Sequence, residues 1–541
     1  MMYNQEVKRQ SRELLINNAI DALTVNRFDS FLVSKEKLDK ITDHFKGLFF
    51  KILNSKHFDA MNQLNWLIHG EKTNWYNFYD SMCQSKDASA LKVLYLSGPE
   101  PLNDIEMFLN KGISLANIWA IESDKNTYQQ AVSALIEAEL PVKIHRGTLT
   151  EFFELTNHQF DIIYYDACTP FISPTSSPFE TLKQIFLNNR LTGLSALITN
   201  FAEPKTNLNW GETLACWYAS ATEFQSPPID FKLGWDEITK STSLKDYGDY
   251  INKHLHEYYD YFLTQFISCF ASEIIPIWQV FALSSVQSNF FWQEQELFKL
   301  LSTIKSEAPP TETMKDFIAM VQHYKLAVSA YPLLNWTRLS EELLGSNHVV
   351  NTFLHSKRKK MALGDALYLG SLLKSFEEGN SGFNTFTREI CSPRFRELLI
   401  ELDFFDRHLH LTCDIPMKNL IVELFFGLYG FPYVANTEQC LSLKYKAKET
   451  WMFSNCFIFD QCRYLYDYIP SPDLFKTFFS EIHHQVILRG CIDLIHRKHL
   501  ELNPNFFKWG FVEGIGEEFG AYHLRQRRNL NEEMNQEGKI T

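Results

Sequence analysis

The chain has 541 residues and a formal net charge of −13 at pH 7, with 45% hydrophobic and 22% charged residues. That length exceeds one compact core and predicts two or three domains, while the acid excess argues against a general nucleic-acid coat, which needs a basic surface. Ten scattered cysteines without a C-x-x-C pair, no apolar leader and no run of ~18 apolar residues predict a cytoplasmic protein with reduced thiols and no membrane span.

In the N-terminal stretch Leu38, Ile41, Phe45, Leu48, Phe49 and Ile52 recur at three and four, the spacing of one helical face, with Ser34 as the N-cap. A second apolar run from Met61 to Ile68 stops at Gly70. This helical prelude suggests no chemistry. The pattern changes at Ala88. Leu91 to Leu96 is a short apolar run entering the turn Ser97-Gly98-Pro99, the punctuation of a buried strand. A helix carrying Ile105, Phe108 and Leu109 follows and closes at Gly112. Asn117 to Ile121 is a second strand ending at Glu122, and Asn126 with Gln129 suggests a capping box for a helix bearing Val132, Leu135 and Ile136. Val142 to His145, Phe160 to Tyr165 and Ser195 to Thr199 are three more strands, the fourth ending at Asp166 and the fifth preceded by a helix through Leu182, Ile185 and Phe186.

Strands alternating with helices at this spacing imply right-handed crossovers and a parallel sheet, whose ligands sit at the carboxyl ends of the strands. Gly98, Glu122, Thr148 and Asp166 fall at those ends. Beyond Pro204 a long aromatic helix is expected from Tyr250 to Ser272, and Ile277 to Leu283 reads as a late strand of the same sheet. From about Leu300 onward the pattern is mostly helical, and no repeat of fixed period is present.

The order of strand, glycine turn, helix, strand ending in an acid, then a strand closing on Asp resembles the core of class I S-adenosylmethionine-dependent methyltransferases, over roughly a fifth of the chain. The resemblance implies an α/β fold: a Rossmann-like methyltransferase domain at 88–300, a helical N-terminal segment at 1–87 and a large, mostly α-helical C-terminal domain at 301–541. It implies S-adenosylmethionine as cofactor. Gly98, Pro99 and Glu100 stand at the loop that receives its methionine part, though one glycine replaces the usual two or three. Glu122, with Ser123 after it, matches the acid that binds the ribose hydroxyls. Thr148 and Leu149 occupy the place of an Asp that accepts from the adenine amino group. Asp166 matches the position facing the transferred methyl and is the candidate catalytic group, with His145 as another base.

Asp166-Ala167 with Thr199-Asn200 also partly resembles the metal-dependent O-methyltransferases, but Thr199 replaces one charged ligand, and no metal is assigned. The Asn-Pro-Pro-Tyr and Pro-Cys signatures of amino-group and cytosine methylation are missing. His408, His410, Cys413 and Asp414 lack a second ligand pair for zinc, and Gly514 to Gly520 does not have the spacing of a phosphate loop. Lys444, Lys446 and Lys448 give a strand one basic face, and Lys357 to Lys360 and Arg525 to Arg528 are further basic runs, each a solvated face or a nucleic-acid contact. The sequence thus leads to a methyltransferase of unknown acceptor. The rival reading is a non-catalytic scaffold or sensing protein of the same fold, with nucleic-acid or protein partners reached through the C-terminal region.

Overall fold

The computed structural model describes residues 5–39, 72–171, 173, 178–204, 210–220, 244–274, 433–467 and 527–537. The chain opens with helix α1 (Gln5–Leu23). It then alternates through β1 (Val93–Leu96), α2 (Leu102–Asn110), β2 (Ile118–Glu122), α3 (Lys125–Glu137) and β3 (Lys143–Arg146). The alternation continues with α4 (Leu149–Leu155), β4 (Phe160–Asp166), α5 (Pro178–Leu187) and β5 (Leu191–Ala202). These five strands are parallel in the order β3-β2-β1-β4-β5. The direction of winding reverses between β1 and β4, which opens a crevice at their carboxyl ends.

The runs that predict β1, β2, β4 and β5 are largely buried because helices cover both faces of the sheet. In β4, residues 160–165 are all buried, and β1 buries Val93, Leu94 and Tyr95. Ile105 and Phe108 of α2 are buried as their spacing requires, and Gly112 (φ +85) donates to the Leu109 carbonyl to close the helix. The start of α3 differs from expectation. Its N-cap is Asp124, whose side chain accepts from the Thr127 N–H, because Asp124 holds extended backbone (φ −74, ψ 129) where the helix begins. Ile136, placed on the apolar face by spacing, is 72% exposed.

Helices α6 (Trp210–Ser220), α7 (Leu244–Lys253) and α8 (Leu255–Cys269) follow. The single aromatic helix expected from Tyr250 to Ser272 is broken at His254. The expected strand at Ile277 to Leu283 lies outside the described residues, as do the run from Met61 to Ile68, most of the Leu38 to Ile52 face, His408 to Asp414, Lys357 to Lys360 and Gly514 to Gly520. Ser34 does accept from the Lys37 N–H at 3.2 Å, as an N-cap would.

The described part of the stretch expected to be mostly helical contributes strands instead. They are β6 (Val434–Ala435), β7 (Leu441–Ala447), β8 (Thr450–Asp460) and β9 (Arg528–Asn529), with a last helix, α9 (Leu530–Glu537). β8 lies antiparallel to β5 from Leu194↔Asp460 to Ala202↔Met452, and β7 pairs with its far edge. The result is one mixed α/β sheet with a Rossmann-like parallel half. The physical reason for the miss is local. Met452 to Asp460 is buried on both faces, so it lacks the alternation that marks a half-buried strand.

Several phenylalanines of the described residues pack in the layer between the sheet and α5 and α8. Phe171 meets Phe201 at 5.3 Å, Phe179 meets Phe270 at 5.0 Å, and Phe186 meets Phe459 at 5.4 Å, all edge to face. The other face carries α2 under Tyr95 and Phe108, and α1 across β5, β8 and β7. Arg527, read as part of a basic run, is buried. Its guanidinium donates to Leu443 O (2.9 Å), Ser454 O (2.8 Å), Thr264 Oγ1 (3.2 Å) and Asn455 Oδ1 (2.9 Å), and it also pairs with Asp260. Arg527→Ala would leave Asp260 without its cation and remove the donor of four further hydrogen bonds, so we expect a loss of about 3–5 kcal/mol in urea unfolding.

Candidate cofactor cleft

A cleft of about 850 Å³ opens where β1, β2 and β4 end. Its wall contains Gly98, Pro99 and Glu100 from the loop after β1, and Glu122 and Ser123 from the end of β2. Thr148 and Leu149 at the start of α4, and Asp166 at the end of β4, complete the set read from the sequence. The eight residues assigned to the cofactor are therefore brought to one place. His145 is not in the wall; its ring packs on Phe152 at 5.3 Å.

The first loop is shaped by backbone. Ser97 N–H extends the sheet ladder to Ile121 O at 2.9 Å, and the chain then turns at Gly98 with φ +62. A Cβ built on Gly98 meets nothing within 4 Å, so glycine is required by conformation, and its bare backbone faces the open cleft. Glu100 accepts from Asn103 Nδ2 at 2.9 Å. Glu122 Oε1 accepts from the Asp124 N–H at 2.8 Å, while its main-chain carbonyl accepts from Gly147 N–H at 2.9 Å and ties the second loop to the third. Gly147 is tightly enclosed, since a Cβ there would lie 2.8 Å from His145 Nε2.

Thr148 has a defined structural task as the N-cap of α4. Its Oγ1 accepts from Glu151 N–H at 3.2 Å, and its own N–H donates to Glu151 Oε2 at 2.7 Å, forming a capping box. Its hydroxyl also donates to Glu151 Oε2 at 3.0 Å. Little hydrogen-bonding capacity remains for a ligand at this position.

Asp166 lies in a network that the sequence did not reveal. Oδ1 accepts from the Cys168 thiol at 2.8 Å and from Asn200 Nδ2 at 2.8 Å, while Lys8 Nζ of α1 sits 3.2 Å from Oδ2. Burial alone would raise the Asp166 pKa. The Lys8 charge and these hydrogen bonds outweigh it and hold the carboxylate below its ordinary value. Asn200 in turn donates to Tyr445 Oη at 3.0 Å and accepts from Ser454 Oγ at 2.8 Å, which anchors the network in β7 and β8. Thr199 lies on the opposite face by strand alternation, so Asp166 and Asn200 stand together without a third oxygen ligand from β5. Cys168 has φ +53, a strained conformation for a residue with a Cβ. Its sulfur is turned toward Asp166, and partial desolvation with that negative charge pushes the thiol up to about 12.

α1 forms one wall of the cleft through Glu6, Lys8, Arg9 and Arg12, although the N-terminal stretch suggested no chemistry. Its stripe Val7, Ser11, Leu15, Ala19 and Leu23 is buried, which leaves Lys8 and Arg12 on the adjoining face one turn apart. Arg12 Nε pairs with Asp104 Oδ1 of α2 at 2.7 Å. The only sequence signal for these groups was that i, i+4 pair of cations beside an apolar stripe.

No family model and no curated protein matches this chain. Among solved structures it is similar to an S-adenosylmethionine-dependent methyltransferase from Clostridium acetobutylicum, at 16% identity and TM-score 0.17, over 30% of this chain and 57% of that one. It is also similar to a protein assigned as a caffeoyl-CoA O-methyltransferase from Staphylococcus aureus, at 16% identity and TM-score 0.17, over 39% of this chain and 83% of that one. At these values the likeness adds no weight to the reading of the cleft.

Asp104 gives the cleft a pH signature. Burial raises its pKa to about 7, against the opposing charge of Arg12 and with help from Asp166. Between about pH 4 and 7 the folded protein therefore holds a proton that the unfolded chain has released, so stability falls as pH rises through that range. Asp166 has the opposite sign, its contribution being lost only as pH falls below the ordinary carboxylate range. Asp104→Asn should flatten the slope of melting temperature against pH between 5 and 7; an unchanged slope would show that Asp104 is not its source.

Proposed function

We propose that this cleft binds S-adenosylmethionine and that the chain is a methyltransferase-like protein whose acceptor is unknown. The observation that carries the reading is convergence. Residues chosen from four separate loops for their fit to one cofactor line a single cleft at the switch point of the sheet. The cleft's volume lies in the range of small-molecule sites, and its wall at Gly98 has no Cβ to block close approach.

In this reading Gly98, Pro99 and Glu100 receive the methionine part, Glu122 takes the ribose hydroxyls with the oxygen that Asp124 does not occupy, and Leu149 flanks the adenine. Thr148 shapes that end of the cleft through its cap. The cofactor supplies an activated methyl group, so the chain's own task is alignment. Asp166, kept ionised, would orient the acceptor by taking a hydrogen bond from it. With its basicity lowered by Lys8, it is better suited to positioning than to proton removal.

One observation favours the second reading, a sensing or scaffold protein that binds without transfer. Both oxygens of Asp166 already have partners within the chain. Protein or nucleic-acid partners would then meet the C-terminal region.

Calorimetric titration with S-adenosylmethionine and S-adenosylhomocysteine tests the binding step. We expect Glu122→Ala to weaken both by about tenfold or more, as loss of a charged hydrogen-bond acceptor does; a folded wild type that binds neither compound ends the proposal. Incubation with methyl-labelled cofactor and total cellular protein, DNA and RNA separates the two readings. Label transferred in an Asp166-dependent way favours the enzyme, and binding without transfer favours the sensor.

A further inference from the structure

The carboxylates of the cleft do not have equivalent partners. Glu100 and Glu122 accept from the neutral donors Asn103 and the Asp124 N–H. Asp104 faces Arg12. Asp166, whose side chain is 14% exposed, faces the Lys8 ammonium at 3.2 Å. It stands at the carboxyl end of β4, beside the reversal in winding, where a ligand's reacting centre would lie. A positively charged ligand group entering there would seek this carboxylate and find its place taken.

Lys8 cannot easily yield that place. It lies on α1 next to the buried stripe of Val7, Ser11, Leu15, Ala19 and Leu23, and Asn18 of the same helix donates to Gln439 O at 2.9 Å and is 3.6 Å from Cys456 Sγ. The helix is thereby fixed across β5, β8 and β7, with its Nζ aimed at the cleft. Burial alone would lower the Lys8 pKa, but the charge and hydrogen bond of Asp166 together with the Cys168 sulfur outweigh it and raise the pKa, so the ammonium does not escape by losing its proton near neutral pH. A sulfonium carries a fixed charge and has no such exit either.

We propose that Lys8 sets the charge selectivity of the cleft, favouring the uncharged thioether sulfur of S-adenosylhomocysteine over the sulfonium of S-adenosylmethionine. The inference rests on the reading of the cleft as a site for this class of ligand. Its physical content is repulsion between two cations competing for one carboxylate, little screened by salt inside the cleft. The neutral thioether meets no such repulsion. The residue would then make the protein responsive to the ratio of the two compounds, which is what a sensor requires.

The test is calorimetric titration of the full chain, as wild type, Lys8→Met and Lys8→Arg, with each compound. Wild type should bind S-adenosylhomocysteine more tightly. Lys8→Met should shift the affinity ratio toward S-adenosylmethionine by about tenfold or more, and Lys8→Arg should keep the wild-type ratio. Lys8→Met leaves Asp166 unpaired and could lower stability, so the Lys8→Met/Asp166→Asn double variant, which removes both charges, serves beside it. It should bind the sulfonium no better than the thioether, since the carboxylate that would attract it is gone. An unchanged ratio in Lys8→Met, or a wild type that prefers the sulfonium, overturns the inference while leaving the binding site in place. No binding of either compound by folded wild type overturns the site itself and the selectivity with it.

Discussion

The ladder between β5 and β8 is the constraint on which the site depends. It runs along β5 from Leu194↔Asp460 to Ala202↔Met452 and brings Ser454 beside Asn200. Asn200 is thereby held between Ser454, Tyr445 and Asp166, so a strand from late in the chain fixes a carboxylate in its first third. The same strand gives α1 its floor, with Cys456 under Asn18. The buried Arg527 then clamps β7 and β8 to α8 by donating to both strands and to Thr264.

Around this frame the cleft is built from charges whose partners come from distant parts of the chain. Lys8 reaches Asp166, and Arg12 reaches Asp104, each across a gap in sequence that only the assembled sheet closes. Near-burial makes these pairs matter more than exposed ion pairs such as Arg9 with Glu6, which water screens and which contribute little. Asp104 and Asp166 show how similar settings can lead to opposite results. Asp104 is desolvated more than Arg12 compensates, so its pKa rises, whereas Asp166 collects a cation and two hydrogen bonds, so its pKa falls.

What was legible in the sequence follows from range. β1, β2 and β4 are short apolar runs closed by Gly, Glu or Asp, and each is bounded by its own turn chemistry, so local pattern was enough. The four loops that meet at the cleft were legible for the same reason. The cap of α3 was placed two residues late, because Asn126 and Asp124 are both good caps and only the backbone angles decide between them. β8 was hidden by its burial on both faces, and Lys8 and Arg12 by their ordinariness, since a helical cation looks the same whether it meets water or a carboxylate. Arg527 was misleading in the other direction: a basic residue in a basic run, yet buried and fully engaged.

The late arrival of β8 has a consequence for synthesis. Until it emerges, β5 presents a long, apolar edge with unpaired main-chain groups, the kind of edge that recruits strands from other molecules. Roughly 250 residues separate the end of β5 from the end of β8, which is about 10–50 s of translation at ~5–20 residues per second. During that interval the parallel half must wait with its edge open, so a nascent chain of this protein is a natural client for chaperones that shield strand edges. Truncations ending between β5 and β8 are expected to aggregate for the same reason, even though they retain every loop of the cleft.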